Sequence, residues 1–230
     1  MAGRLLSLLQ DRPRLIVSLP RNSPELARAA AQGGADALKV HINVTHEASG
    51  THFGSLAEER PSLEQILALD LPTGIVPGAG ERLPSPEEME TLAAMGVDFF
   101  DLYLHDMPSW LLRCPHLTRA IAISLPSQAE LLPDLEALGC QLIEAAIIPH
   151  EGYGQPLSVA DLAAYHRIRS ATRLPIILPS QRALRPEDVP LLVEDAGVDA
   201  IMIGAIVTGA HPDTLRAATE RFASAIADTR

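Results

Sequence analysis

Short apolar runs alternate with amphipathic segments along the whole chain. Arg14–Leu19 (RLIVSL) has the length and character of a first strand. Ser23-Pro24 then opens a helix, with serine as N-cap and proline at the first helical position, and Gly33-Gly34 closes it. The same alternation predicts strands over Ala37–Val44, Thr73–Pro77, Asp98–His105, Arg119–Leu125, Gln141–Pro149, Leu174–Leu178 and Ala200–Ile203. Helices are predicted at Ser62–Leu69, from Ser85-Pro86 to Gly96, at Ser127–Gly139, from Ser158 to about Thr172, from Arg185-Pro186-Glu187 onward, and at Pro212–Asp228. Glu87 and Glu88 fall in a first helical turn, where the helix dipole favours acids. Only the link after the fourth strand is too short for more than a turn of helix, around Pro108–Leu112.

Eight strands, each followed by a crossover, imply a parallel sheet that closes on itself. The expected fold is therefore α/β: a (β/α)8 TIM barrel, one domain over residues 1–230, with a short N-terminal helix within Met1–Gln10. A doubly wound open sheet is the alternative. The length, 230 residues, is near the ~250 typical of such barrels. No linker, repeat or low-complexity tract marks a boundary.

In a barrel, successive strand residues face the lumen and the helix layer in turn. On the second strand Leu38, Val40 and Ile42 take the helix side, which points Lys39, His41 and Asn43 inward. On the fourth, Asp101, Tyr103 and His105 face in; on the sixth, Glu144 shares a side with Ala146, Ile148 and His150. Ionisable groups thus converge at the C-terminal mouth, where such barrels carry their active sites.

Lys39 is the single lysine of the chain, against seventeen arginines among its 18 basic residues. An amine can lose its proton where guanidinium cannot, so Lys39 is a candidate for imine formation or for polarising a carbonyl. The plainer reading is a buried ion pair with Asp101 or Glu144. Glu144 sits in an otherwise apolar run (LIEAAII), where burial raises a carboxyl toward the range useful for proton transfer. The candidate catalytic residues are Lys39, His41, Asp101, His105 and Glu144. Two segments are candidate lids: the Ser-, Gly- and His-rich stretch Thr45–Pro61, and His150–Pro156 with glycine hinges and Tyr153 and Glu151 to close over a ligand.

Composition narrows the partners. Aromatics are 3% of residues and the formal net charge is −11, which disfavours nucleic acid. No apolar stretch approaches the ~20 residues of a membrane span, and no signal peptide is legible, so the expected setting is the cytoplasm, away from membranes. Cys114 and Cys140 fit no metal or disulfide spacing. No cofactor is required; the alternative is a divalent metal held by His41, His105 and a carboxylate. A homodimer is the candidate assembly, since Met1–Gln10 either caps the barrel or packs on another subunit.

Arg185-Pro186-Glu187-Asp188-Val189 followed by Gly197-Val198-Asp199-Ala200-Ile201-Met202-Ile203-Gly204 resembles the ribulose-phosphate-binding barrels, which include sugar-phosphate epimerases and N-acylglucosamine-6-phosphate 2-epimerases. That resemblance implies a phosphorylated small-molecule substrate whose phosphate contacts Gly204 and Ala205. The family's glycine pair after strand seven is replaced by Pro179-Ser180-Gln181, so that the Ser180 hydroxyl, the Gln181 amide or Arg182 would be the substitute donor. Asn43 and His150 complete the candidate substrate-binding set. The lysine of the acylglucosamine-phosphate epimerases on strand three is missing, as are the strand-three and strand-seven metal ligands of ribulose-phosphate 3-epimerase. The expected function is an isomerase, epimerase or lyase acting on a small phosphorylated carbonyl compound. The alternatives are a metal-dependent enzyme and a non-catalytic metabolite-binding barrel.

Overall fold

Parallel pairing runs in chain order and then closes, β1 against β8, giving an eight-stranded barrel. The computed structural model describes residues 3–229; Met1, Ala2 and Arg230 lie outside the described residues. The strands are β1 (Arg14–Ser18), β2 (Ala37–His41), β3 (Thr73–Val76), β4 (Phe99–Tyr103), β5 (Thr118–Ile123), β6 (Leu142–Ala145), β7 (Ile176–Pro179) and β8 (Ala200–Ile203). The helices are α1 (Arg4–Leu8), α2 (Pro24–Gln32), α3 (Leu56–Leu67), α4 (Pro86–Met95), α5 (Leu132–Ala137), α6 (Val159–Ala171), α7 (Ala205–Thr208) and α8 (Pro212–Ala227). The (β/α)8 barrel expected from the alternation is the fold observed. Among the described residues no helix is long and apolar enough to cross a membrane.

Caps set the helix starts. Ser23 accepts from Leu26 N–H, and Ser85 and Ser158 form reciprocal capping boxes with Glu88 and Asp161. The third helix starts earlier than predicted. Ser55 and Glu58 form the capping box, and Pro61-Ser62, read as a boundary, lies inside α3. The long loop therefore ends near Ser55. The predicted helix after β7 is a 3-10 turn, Pro186–Asp188, and a π turn, Leu191–Asp195.

Strands are shorter than their apolar runs. The sequence stays apolar past β6 because Ile147 and Ile148 are buried in the outer layer, not because pairing continues. Most of the core lies in that layer, between strands and helices. A second, smaller cluster fills the lumen: Ile16, Ala37, Phe99, Ala120, Leu142, Ile177, Ala200 and Met202.

With few aromatics to fill it, the lumen relies on one ring. Phe99 lies across β3 at Gly74, where a Cβ would stand 2.0 Å from the ring's Cζ. Below, α1 closes the barrel. Leu5 is fully buried in the lumen cluster, and the Asp98 carboxylate accepts from Arg4 N–H (2.7 Å) and Leu5 N–H (2.8 Å). Those two donors would otherwise be orphaned at the start of a five-residue helix.

Gly74→Ala should lower stability by about 1–3 kcal/mol, read as a lower denaturation midpoint with unchanged slope. Phe99→Leu in the same chain should recover part of the loss. A neutral Gly74→Ala would show that the ring is free to move aside.

Candidate active site

Three ionisable side chains meet in the layer above the lumen cluster, delivered by β2, β4 and β6. Lys39 Nζ donates to Asp101 Oδ2 at 2.6 Å and also to Glu144 Oε2. Their side chains are 5, 3 and 9% exposed. Strand parity brings them together, since each is flanked by residues that face the helices.

Burial works against the Lys39 charge, but Asp101 and Glu144 outweigh it and raise the amine above its ordinary pKa. The amine is therefore an ammonium at neutral pH. Burial also opposes charge on Asp101, yet Lys39 beside it and a hydrogen bond with Glu144 hold this carboxyl below the usual range. Glu144 moves the other way: burial, then the negative field of Asp101, push it well above the usual range. The surroundings thus push the two acids apart, Glu144 toward its neutral form and Asp101 toward its ionised form. Asp101 Oδ1 is buried and has no N–H or protein hydroxyl to accept from.

Above the triad a cavity of about 350 Å³ opens toward the C-terminal mouth. Its floor is Lys39, Asp101 and Glu144; its walls include Ser18, His41, Tyr103, Tyr153 and Met202. Ser180, Gly204 and Ala205 form the β7–β8 side.

Loop residues 43–54 fold back as a short hairpin, bridged at Thr45 and His52, rather than as an irregular lid. Its Phe53 is buried, with its ring centroid 4.8 Å from that of His41, and His46 lies 4.6 Å from His41 on the cavity wall. Burial drives the His41 pKa well below its ordinary value, with His46 and Lys39 adding to the shift. Burial and then Lys39 lower His46 to about 4. Both imidazoles are neutral at pH 7, and His41 Nδ1 is buried without a partner.

Beyond the strand ends parity misplaces Asn43 and His150, whereas His105 lines the cavity at its rim. β2 stops at His41, so Asn43 has left the pleat; its φ is 58° and its amide donates to Pro77 O at 3.1 Å, away from the cavity lining. His105 lies past β4 at the rim, with its side chain 62% exposed and its ring stacked on Tyr103 at 5.5 Å. His150 starts a 3-10 turn after β6, is exposed, and packs on Tyr153 instead of lining the cavity.

The β7–β8 side also departs from expectation. The Gln181 amide donates to Ala146 O, Ile148 O and Tyr153 Oη and accepts from Ile148 N–H, so it ties two loops together and is not free for a ligand. Gly204 N–H donates to Ser180 Oγ at 2.8 Å, which removes it as an anion donor. Gly204 instead caps α7, accepting from Val207 and Thr208 N–H, and leaves the Ala205 and Ile206 N–H groups without an intrahelical acceptor. Ser180 keeps its own hydroxyl proton. The second predicted lid is held in place: Gly154 N–H donates to Gln181 O, Ala183 N–H to Gln155 O, and Arg182 bridges Gly152 O and Asp161. Gly152 is no hinge, since a Cβ there would meet Ile148 and Arg182 within 3 Å.

Ser18 was missed, although β1 parity points it inward beside Lys39. Among the described residues no group of three or more His, Cys, Asp or Glu side chains could hold a metal ion. His41 and His105 are separated by their burial, one deep in the wall and one at the rim.

No protein-family model and no curated protein matches the chain. Solved structures do, at the level of fold. A chain of tryptophan synthase from Mycobacterium tuberculosis matches with a TM-score of 0.75 and 16% identity over 98% of this chain and 99% of that one. N-acetylmannosamine-6-phosphate 2-epimerase from Clostridium perfringens matches at 0.61 and 17% identity, covering 87% and 90%. (S)-3-O-geranylgeranylglyceryl phosphate synthase from Thermoplasma acidophilum, in complex with sn-glycerol-1-phosphate, matches at 0.65 and 16%, covering 98% and 99%. The chain shares their eight-stranded (β/α) barrel.

Lys39→Met should cost about 3–5 kcal/mol at neutral pH, because it strips the cation from a buried carboxyl pair. The loss should shrink as acid neutralises the pair. Glu144, with its raised folded pKa, contributes stability in full below the unfolded glutamate pKa of about 4.3 and loses it as pH rises toward the folded value. Glu144→Gln should therefore flatten the decline of stability above about pH 4, measured by urea denaturation across pH. An unchanged slope would place the proton elsewhere.

Proposed function

We propose that the protein is an enzyme that moves a proton at the carbon next to a carbonyl in a small phosphorylated metabolite, an isomerase or epimerase in class. The observation that carries this reading is the Lys39–Asp101–Glu144 triad on the floor of an open cavity. A purely structural ion triad would be covered by packed side chains.

Such chemistry needs a base for carbon, an acid for oxygen and a charge to stabilise the enolate between. The carboxyl pair can accept one proton and release another. The Lys39 ammonium lies beside it, in a site where low exposure strengthens its field. Its double ion pairing favours the electrostatic role over imine formation, which requires the neutral amine.

A phosphate fits the β7–β8 side, with the Ser180 hydroxyl and the opening N–H groups of α7 as donors. Two barrels of the same fold, N-acetylmannosamine-6-phosphate 2-epimerase and a synthase in complex with sn-glycerol-1-phosphate, support a phosphorylated substrate. The volume suits a compact substrate, being at the small end of ligand pockets.

The test is deuterium uptake from D2O into the carbon beside the carbonyl, followed by NMR across a panel of phosphorylated aldehydes and ketones. At least one member should exchange, and its unphosphorylated counterpart should exchange at least about tenfold more slowly. Lys39→Met should reduce the rate by about 10²–10³. Borohydride added during turnover should leave the mass of Lys39 unchanged. Undiminished exchange in Lys39→Met, or a reduced adduct on Lys39, would overturn the electrostatic role.

A further inference from the structure

Two phenols overlook the triad. Tyr103 follows Asp101 by two residues on β4, so it shares the inward face one layer nearer the mouth. Its ring is stacked on His105, with planes 16° apart, and among the described residues its hydroxyl has no hydrogen-bond partner. Tyr153 reaches the cavity from the loop after β6. Its oxygen accepts from Gln181 Nε2 at 2.8 Å, which occupies acceptor capacity and leaves the phenolic proton to donate. Gln181 is itself fixed by Ala146, Ile148 and their backbone, so Tyr153 is anchored on a saturated amide.

Both phenols lie within the field of Glu144. Tyr103 also feels Asp101 and Tyr153. Both phenols line the cavity whose floor is the triad. Among the described residues no arginine lines this cavity, and Lys39 spends two of its three N–H groups on Asp101 and Glu144.

We propose that Tyr103 and Tyr153 form the oxyanion site, donating two phenolic hydrogen bonds to the oxygen that becomes an enolate, with Gln181 positioning the second. This rests on the proton-transfer reading above. In the step, the carboxyl pair takes the proton from carbon. The C–H electron pair becomes the C=C bond, and the carbonyl π pair moves onto oxygen, where the two O–H groups meet it. Neither phenol gives up its proton, and return of a proton to carbon reverses the flow. Burial first, and then the neighbouring acids, raise both phenols above their ordinary pKa, so they remain donors through the working pH range.

The experiment pairs exchange kinetics with binding of a phosphorylated hydroxamate, a planar mimic of an enolate, and of its carbonyl counterpart. Wild type should prefer the hydroxamate by at least about 100-fold. Tyr103→Phe and Tyr153→Phe should each cut that preference by about tenfold or more and lower kcat for exchange by about 10², with KM within about threefold. Gln181→Leu should act in the same direction as Tyr153→Phe and add little on top of it. Circular dichroism confirms folding, and Tyr→Phe keeps the ring packing, so a loss in either single variant reports the hydroxyl. If both variants keep the preference and kcat within about twofold while Lys39→Met abolishes exchange, the oxyanion assignment falls and the proton-transfer reading stands. If wild type neither exchanges nor binds any phosphorylated carbonyl, the parent reading fails and the oxyanion site goes with it.

Discussion

A lone lysine buried between two carboxylates sets the terms for the rest of this barrel. An unpaired ammonium at that depth would lose its proton, and an unpaired pair of acids would repel and take one up. Together they offset one another: the acids keep the amine charged, Lys39 favours ionised Asp101, and Glu144 is pushed toward its neutral form. The strands must hold this arrangement in register, because β2, β4 and β6 each contribute one member and none is adjacent to another in the sheet. The lumen cluster below, with Phe99 filling the space that Gly74 leaves, is the platform on which the triad stands.

The polar residues around the triad divide into those held for support and those left with capacity. Gln181 uses its whole amide to fasten the β6 and β7 loops. Gly204 N–H is given to Ser180. His41 is walled in by Phe53 and His46 and kept neutral. Groups left for a ligand include the hydroxyls of Ser18 and Ser180, two phenols, the third N–H of Lys39, the His105 ring at the rim and the start of α7. These are mostly neutral donors around one screened cation, which suits stabilisation of charge that develops during a reaction better than capture of charge already present.

Much of this was legible in the sequence, and the physics says where legibility stops. Alternation is meaningful only while backbone pairing continues. It placed Lys39, Asp101 and Glu144 correctly because they sit within paired segments. It failed for Asn43 and His150, both beyond the last ladder bond, where the pleat no longer fixes side-chain direction; His105, also past its strand, still lines the cavity from the rim. Apolar residues such as Ile147 and Ile148 concealed those ends, since they are buried under the outer layer without being strand. The start of α3 was concealed by Pro61-Ser62, although the Ser55–Glu58 spacing carried the stronger signal. The hairpin that sets His46 against His41 depends on Phe53 finding its pocket, a tertiary fact with no local trace.

The seal that α1 makes at the base of the barrel bears on traffic. With Leu5 seated in the lumen and Asp98 fastening its turn, the described residues close the base of the central chamber and leave the C-terminal mouth as its doorway. Whatever enters past His105 and the hairpin must depart by the same route, and the water it displaces must leave that way too. Arrival of a fresh molecule then waits on clearance of the previous one, so two guests cannot occupy the floor in succession without an interval of emptiness between them.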